Sequence, residues 1–355
     1  MKLLIFVNKF DENDDLLGFF AGWVNGLSQN FEKISIVAQF VGRHPRLDNV
    51  EVFSLGKERR KSRLARLLTF YKHLWRLRKN YDAAFIFMAP AWAIISWPVL
   101  KLAGKKMALW YAVWKDSFKL RLATLLSDKV ISSVSQAFPF KTGKLALVGQ
   151  GIDVNYFRPN KSTPNQKNRI LFLGRISPVK KIEVLFGALK HLRTTFPEVY
   201  NKVSVNIVGG PTSEKDKTYL KWLKELSNDI KEKINWFPGV NVPHLEILDY
   251  YQEAGIFVNL TPTGSFDKTM LEAMACGDLL LASNVALANF FSEEQKQLFL
   301  FKQSDSKDLS EKLAHLLSLE PERADRFRME LRNIIVKNHS QENLVSNLTK
   351  LFKSL

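Results

Sequence analysis

A chain of 355 residues, 46% hydrophobic and carrying a net charge of +17, is too apolar to stay disordered, and its length suits two α/β domains of about 100–200 residues each. The charge is uneven: residues 1–160 hold 25 Lys and Arg against 12 Asp and Glu, which is +13 of the total. That directs the first half towards an anionic partner, whether a phosphorylated substrate, a membrane surface or nucleic acid. The single cysteine, Cys276, excludes an intrachain disulfide and fits a reducing compartment.

In chain order, apolar strand-like runs alternate with helical patterns, the signature of parallel sheets covered by helices. The opening apolar run is too short for a signal peptide before it meets Lys9. Strands are expected at 2–7, 33–40, 50–55, 83–88, 106–111, 129–134 and 144–149, with helices over 15–29, 58–79, 91–103 and 117–127. The acidic run DENDD (11–15) is read as a cap for the first helix in preference to a metal site.

Segment 57–79, KERRKSRLARLLTFYKHLWRLRK, places Leu64, Leu67, Leu68, Tyr71, Leu74 and Trp75 on one stripe. Arg59, Arg60, Lys61, Arg63 and Arg66 lead its basic residues. Two readings stay open: a helix packed on its sheet with a solvated basic face, and a surface helix that meets anionic lipid through Arg59, Arg60, Lys61, Arg63, Arg66 and Trp75. The uncharged run 83–100 reaches membrane-spanning length, but Pro90 and Pro98 interrupt it. It reads as a buried strand, a turn and an apolar helix.

GQGIDV (149–154) lacks the third glycine and the following helix of a dinucleotide fingerprint. Residues 158–168 are polar, hold two prolines and have no periodicity, so they are read as a linker between domains at 1–160 and 165–338. A second alternation follows, with strands at 169–174, 203–209, 234–239, 256–260 and 278–283. Leu344, Leu348 and Leu351 mark a last helix over 340–355, expected to pack back on the first domain. The fold class is therefore α/β, with two Rossmann-like domains whose parallel sheets face across a cleft. Ligands of such sheets bind beyond the carboxyl ends of the strands.

Two strings stand at strand exits. GRISPVKK (174–181) sets Arg175 at the exit and Lys180 five residues on, expected in the first turn of a helix. Two cations beside a helix N-terminus can converge on a diphosphate. Read alone, the string fits an ordinary basic surface loop equally well. TPTGSFDKTMLEAMACG (261–277) allows a tight turn at Gly264 and Ser265 and a helix from about Asp267, whose amides can hold phosphate. Glu272 is set among Met270, Leu271, Ala273 and Met274. A carboxylate there is seldom left unpaired and can accept from two vicinal hydroxyls, as in ribose recognition.

In this order and about ninety residues apart, the two strings resemble the retaining glycosyltransferase family 4, of the two-Rossmann-domain GT-B type. IVGG (207–210) with Pro211, WFPGV (236–240) and LEAMACG (271–277) carry the likeness further, and LLGFFAGWV (16–24), ALWYAVWKDSFKLRLA (108–123) and GQGIDVNYF (149–157) extend it more weakly over the first half. The resemblance implies that Arg175 and Lys180 neutralise a donor diphosphate and that Glu272 holds the ribose. It implies donor contacts from Gly174, Gly209, Val240, Gly264, Ser265, Asp267, Lys268 and Thr269. Two positions depart from the family: Gly264 stands where a first glutamate is usual, and Val113 where a histidine is usual.

The resulting expectation is a nucleotide-sugar-dependent hexosyltransferase that uses no metal or cofactor, the UDP- or GDP-sugar being a substrate. It would extend a lipid-linked or cell-envelope glycan from the inner face of the cytoplasmic membrane. A non-catalytic member that only binds nucleotide-sugar, or acts as a membrane-associated scaffold, is the rival. Nucleic acid is not expected as a partner, because no reading motif accompanies the charge.

Overall fold

The structure, a computed structural model, describes residues 1–14, 16–160, 166–238, 246–262 and 266–355. The chain forms two compact units: Met1–Gly151 together with His339–Leu355, and Ile152–Asn338. The first contains β1 (Lys2–Phe10), α1 (Phe19–Ser28), β2 (Lys33–Val41), β3 (Val50–Ser54), α2 (Arg63–Leu77), β4 (Ala83–Phe87), α3 (Pro90–Leu102), β5 (Lys106–Trp110), α4 (Phe118–Leu126), β6 (Lys129–Ser132) and β7 (Leu145–Leu147). The second contains β8 (Arg169–Leu173), α5 (Ile182–Thr195), α6 (Pro197–Lys202), β9 (Ser204–Gly209), α7 (Glu214–Leu226), β10 (Ile234–Pro238), α8 (Leu248–Glu253), β11 (Ile256–Asn259), α9 (Lys268–Cys276), β12 (Leu279–Ala282), α10 (Glu293–Phe299) and α11 (Ser306–Ser318). α12 (Pro321–His339) ends at the boundary, and α13 (Gln341–Lys353) belongs to the first unit.

Both sheets are parallel, in the orders β3-β2-β1-β4-β5-β6-β7 and β10-β9-β8-β11-β12. Why β1 is apolar without alternation is visible in its two faces. Leu3, Ile5 and Val7 enter a core with Phe20, Trp23 and Leu27 of α1 and Leu344, Leu348 and Phe352 of α13. Leu4 and Phe6 enter another, with Phe70 and Leu74 of α2, Ala93 and Leu100 of α3 and Leu120 of α4. A strand buried on both faces needs apolar residues at every position. Residues 83–100 resolve as expected into β4, a turn and the start of α3, and no helix among the described residues is long and apolar enough to cross a membrane.

Two boundaries differ from the sequence reading. The first lies at Gly151–Ile152, ahead of the polar stretch, of which 161–165 fall outside the described residues. Residues 152–157 are held to the second unit: the Arg332 guanidinium donates to the Val154 and Phe157 carbonyls at 3.1 and 3.0 Å, and Phe157 is buried. The second is the start of α2, at Arg63 and not near 58. Ser62 Oγ accepts from the Ala65 N–H at 3.2 Å as its N-cap, and Gly56 and Arg60 take φ of +87° and +55° in the turn before it. Arg59, Arg60 and Lys61 therefore sit on a loop, not on the helix.

Candidate functional site

In the second sheet β8 lies between β9 and β11. The chain leaves β8 on one side, builds β9 and β10, and returns on the other side as β11, so the loops at the carboxyl ends of β8 and β11 diverge and open a crevice. The two motif strings leave from these two strands.

From β8, the Gly174 N–H bonds the Val208 carbonyl and the Ile176 N–H the Gly210 carbonyl, both at 3.0 Å. Gly209, at φ +133°, passes so close that a Cβ there would collide with the Gly174 carbonyl oxygen. The structure thus gives Gly209 a packing reason: it lets two strand exits run side by side. Arg175 is exposed. It faces Asp216, a buried carboxylate that sequence reasoning missed and that takes the Thr212 hydroxyl at 3.0 Å. Burial pushes the Asp216 carboxyl up, but hydrogen bonds from Ser213 and Thr212 and the Arg175 charge hold it below the usual range.

Lys180 is not in the first turn of a helix. It closes a single 3₁₀ turn, Pro178–Lys180, and Lys181 follows in the left-handed region at φ +53° before α5 begins. The leading N–H of α5, at Ile182, is already taken by the Tyr219 hydroxyl at 2.9 Å, and Tyr219 also hydrogen-bonds Glu183. The expected anion site at this helix end is therefore occupied. The tight turn aims Lys180 at the β11 loop instead. Its Nζ lies 3.1 Å from Thr261 Oγ1 and 2.7 Å from Asp267 Oδ2, so residues more than eighty positions apart meet at the crevice.

Asp267 Oδ2 also accepts from Asn259 Nδ2 at 3.0 Å and Thr261 Oγ1 at 2.8 Å. Burial raises this carboxyl, and Lys180 with the two neutral donors brings it below its ordinary value. Asp267 is the N-cap residue of α9, yet its side chain makes no capping hydrogen bond. Lys268 and Thr269 open the helix, and Met270–Cys276 are all buried. At the far end Gly277, at φ +87°, forms the C-cap. Arg328 donates to the Gly277 carbonyl at 2.8 Å and Arg332 to that of Ala275. Burial pushes the Lys268 ammonium down to about 7, with Glu272, one turn on, opposing the shift.

Glu272 is only 2% exposed, which removes the reading of a solvated glutamate. Its Oε2 accepts from the Tyr251 hydroxyl of α8 at 3.0 Å. Burial, then Glu272, raises the Tyr251 phenol well above its usual value. Of the expected donor contacts, Val240, Gly264 and Ser265 lie outside the described residues. Val113 follows β5 in a half-buried loop of the first unit and offers no polar atom beyond its backbone.

The basic segment also departs from its expected face. Phe70, Leu74 and Leu77 are the buried side of α2, while Leu64, Leu68 and Trp75 are 65%, 62% and 52% exposed. Arg66 turns away from solvent to give Gln39 Oε1 a hydrogen bond at 2.7 Å. In the acidic run, Asp14 Oδ1 accepts from the Leu16 and Leu17 N–H groups ahead of α1, and Lys9 pairs with its other oxygen. No group of three or more His, Cys, Asp or Glu among the described residues is placed to hold a metal.

Comparison with known proteins adds three findings. The sequence model of the family "Glycosyl transferases group 1" matches residues 153–353. A D-inositol 3-phosphate glycosyltransferase of Catenulispora acidiphila is 29% identical over 169 residues, 45% of this chain and 39% of that protein. A GDP-Man:Man(3)GlcNAc(2)-PP-Dol alpha-1,2-mannosyltransferase of Xenopus laevis is 27% identical over 204 residues, 55% of this chain and 41% of that protein. The matches thus span about two fifths of these relatives. Among solved structures, Anabaena HepE in complex with UDP-glucose superposes with a TM-score of 0.76 at 15% identity, covering all of both chains. That likeness supports the GT-B fold alone.

Proposed function

Because this chain belongs to the glycosyl transferases group 1 family, we propose that it transfers a sugar from a UDP- or GDP-sugar to a lipid-linked or cell-envelope glycan, with retention at the anomeric carbon. The observation that carries the reading is Lys180 reaching from the β8 exit to Thr261 and Asp267 beyond β11. It unites both motif strings at the point where strand order reverses.

In this reading, Arg175, Lys180 and the leading N–H groups of α9 stabilise the charge that grows on the departing diphosphate. Removing one such group costs about two to three orders of magnitude in turnover. Glu272, oriented by Tyr251, takes the ribose hydroxyls. Val113 supplies no side-chain hydrogen bond to the sugar, so the grip on the diphosphate accounts for most of the donor affinity, each neutral hydrogen bond adding only about 0.5–1.5 kcal/mol. Catalysis then rests on positioning and phosphate stabilisation.

The deciding experiment titrates UDP, GDP, UDP-glucose and GDP-mannose, beside a product assay with membrane extract as acceptor. Binding with transfer supports the proposal. Binding without product across a broad donor panel would leave a nucleotide-sugar-binding protein, and no binding of either diphosphate would refute the roles of Arg175, Lys180 and Glu272.

We further propose a peripheral position on the inner face of the cytoplasmic membrane. Its support is the exposed ridge of Leu64, Leu68 and Trp75, flanked by the exposed Arg59, Arg60, Lys61 and Arg63. Arg66 is left out of this surface because it serves Gln39.

A further inference from the structure

Lys180, the cation best placed for a phosphate, is neutralised in the chain itself. Asp267 Oδ2 stands 2.7 Å from its Nζ, with the two side chains 13% and 19% exposed. Asn259 Nδ2 and Thr261 Oγ1 donate to the same oxygen, so three donors fix the carboxylate. It spends nothing on capping its own helix. A diphosphate drawn to Lys180 and to the start of α9 therefore meets a fixed negative charge beside both.

We propose that Asp267 is the resident counter-ion of Lys180 and that it weakens binding of the free nucleoside diphosphate more than binding of the sugar-bearing donor. The inference rests on the donor-site reading above. In transfer, the bond between the anomeric carbon and the terminal phosphate oxygen breaks. The sugar joins the acceptor oxygen, the acceptor's proton is released, and the diphosphate keeps the electron pair. The last ionisation of a terminal phosphate lies near 6, so at neutral pH the product carries about one more negative charge than the donor. Repulsion from a fixed carboxylate scales with that charge, and salt screens a mostly buried pair poorly. Asp267 thus opposes the product more than the substrate and eases product release, a step that often limits turnover. Lys180 stays in place to meet charge on the leaving oxygen as it develops.

The test compares Asp267→Asn and Asp267→Ser with the unaltered full chain, by isothermal titration with UDP, GDP, UDP-glucose and GDP-mannose and by thermal unfolding without ligand. For whichever base binds, the Kd of the diphosphate should fall at least about tenfold in both variants, and that of the sugar conjugate by a smaller factor. A purely structural role would not tighten binding. Asp267→Ser keeps a residue suited to the N-cap and decides the matter if Asp267→Asn is unfolded at the assay temperature. Equal tightening of both ligands, or weaker diphosphate binding, overturns the proposal. If the unaltered chain binds none of the four, the donor-site reading falls and the counter-ion with it. Diphosphate binding without the differential shift overturns only the role of Asp267.

Discussion

Gly209→Ala is the sharpest probe of how the β8 and β9 exits are held, with Gly174→Ala as its control. Both glycines have φ in the region that favours glycine, +133° and +151°. A Cβ at Gly174 would meet nothing within 4 Å, whereas one at Gly209 would run into the Gly174 carbonyl. Backbone strain alone costs about 1–3 kcal/mol per site, so Gly174→Ala should lose about 2 kcal/mol. Forcing the two strand exits apart adds an overpacking term of about 1–3 kcal/mol, bringing Gly209→Ala to about 4 kcal/mol. For a unit of this size each kcal/mol shifts the midpoint by about 2–4 °C, so the drops should be about 4–8 °C and 8–16 °C. The Gly209 variant should also lose diphosphate affinity, because the carbonyl it displaces belongs to the loop that carries Arg175 and Lys180. Thermal unfolding followed by circular dichroism reads the first effect and titration the second. Equal drops in the two variants would refute the collision argument, and no drop in either would refute the backbone conformations themselves.

Arg175→Ala and Lys180→Ala should each cut turnover by about two to three orders of magnitude with the far-ultraviolet spectrum unchanged; turnover at the wild-type rate in either removes that residue from the site. Tyr251→Phe takes a buried donor from Glu272 and should cost about 2 kcal/mol, while Glu272→Gln should weaken a ribonucleotide donor more than its deoxyribose analogue. Lys268 gives a pH signature. Its ammonium titrates at about 7 in the folded chain against 10.5 when exposed, so between those values the unfolded chain holds a proton that the folded chain lacks. Stability should rise with pH across that window, and Lys268→Met should remove this part of the slope in unfolding curves taken from pH 7 to 10. For the exposed ridge of α2, replacing Arg59, Arg60, Lys61 and Arg63 by Gln should reduce co-sedimentation with anionic vesicles at low salt, since each cation near such a surface contributes about 1 kcal/mol; unchanged sedimentation would mean the charges are merely solvated.

Much of the fold is legible in the sequence because strands buried on both faces leave unbroken apolar runs, as β1 and β4 do. The ends of α2 are not, since a basic stretch of good helix formers carries no stop signal and only the N-cap at Ser62 marks where the turn yields. Apolar residues cover too much of that helix for periodicity to say which half packs, so Leu64 and Leu74 fall on one predicted stripe yet on opposite sides of the burial boundary. At the site, Arg175, Lys180 and Glu272 are found from strand exits and motif spacing. The path of Lys180 is hidden because Lys181 adopts a left-handed conformation with no glycine to announce it. Tyr251 and Asp216 are invisible for another reason. Their partners lie on different elements, and nothing local distinguishes a tyrosine that orients a carboxylate from one that fills a core.

The place of α13 has a consequence for how the protein is made. Leu344, Leu348 and Phe352 complete a core begun by Leu3, Ile5 and Phe20, yet the whole second unit is synthesised in between. At about 5–20 residues per second, that interval lasts some tens of seconds on the ribosome. During it, the layer beside α1 has no lid, and Phe31 and Phe85, which pack against Phe352 in the finished fold, are open to water. The uninterrupted second unit can fold as soon as it emerges, so the half of the chain that starts first is finished last. A chaperone that shields apolar surface on nascent chains should therefore engage the first half and let go only when the final helix arrives.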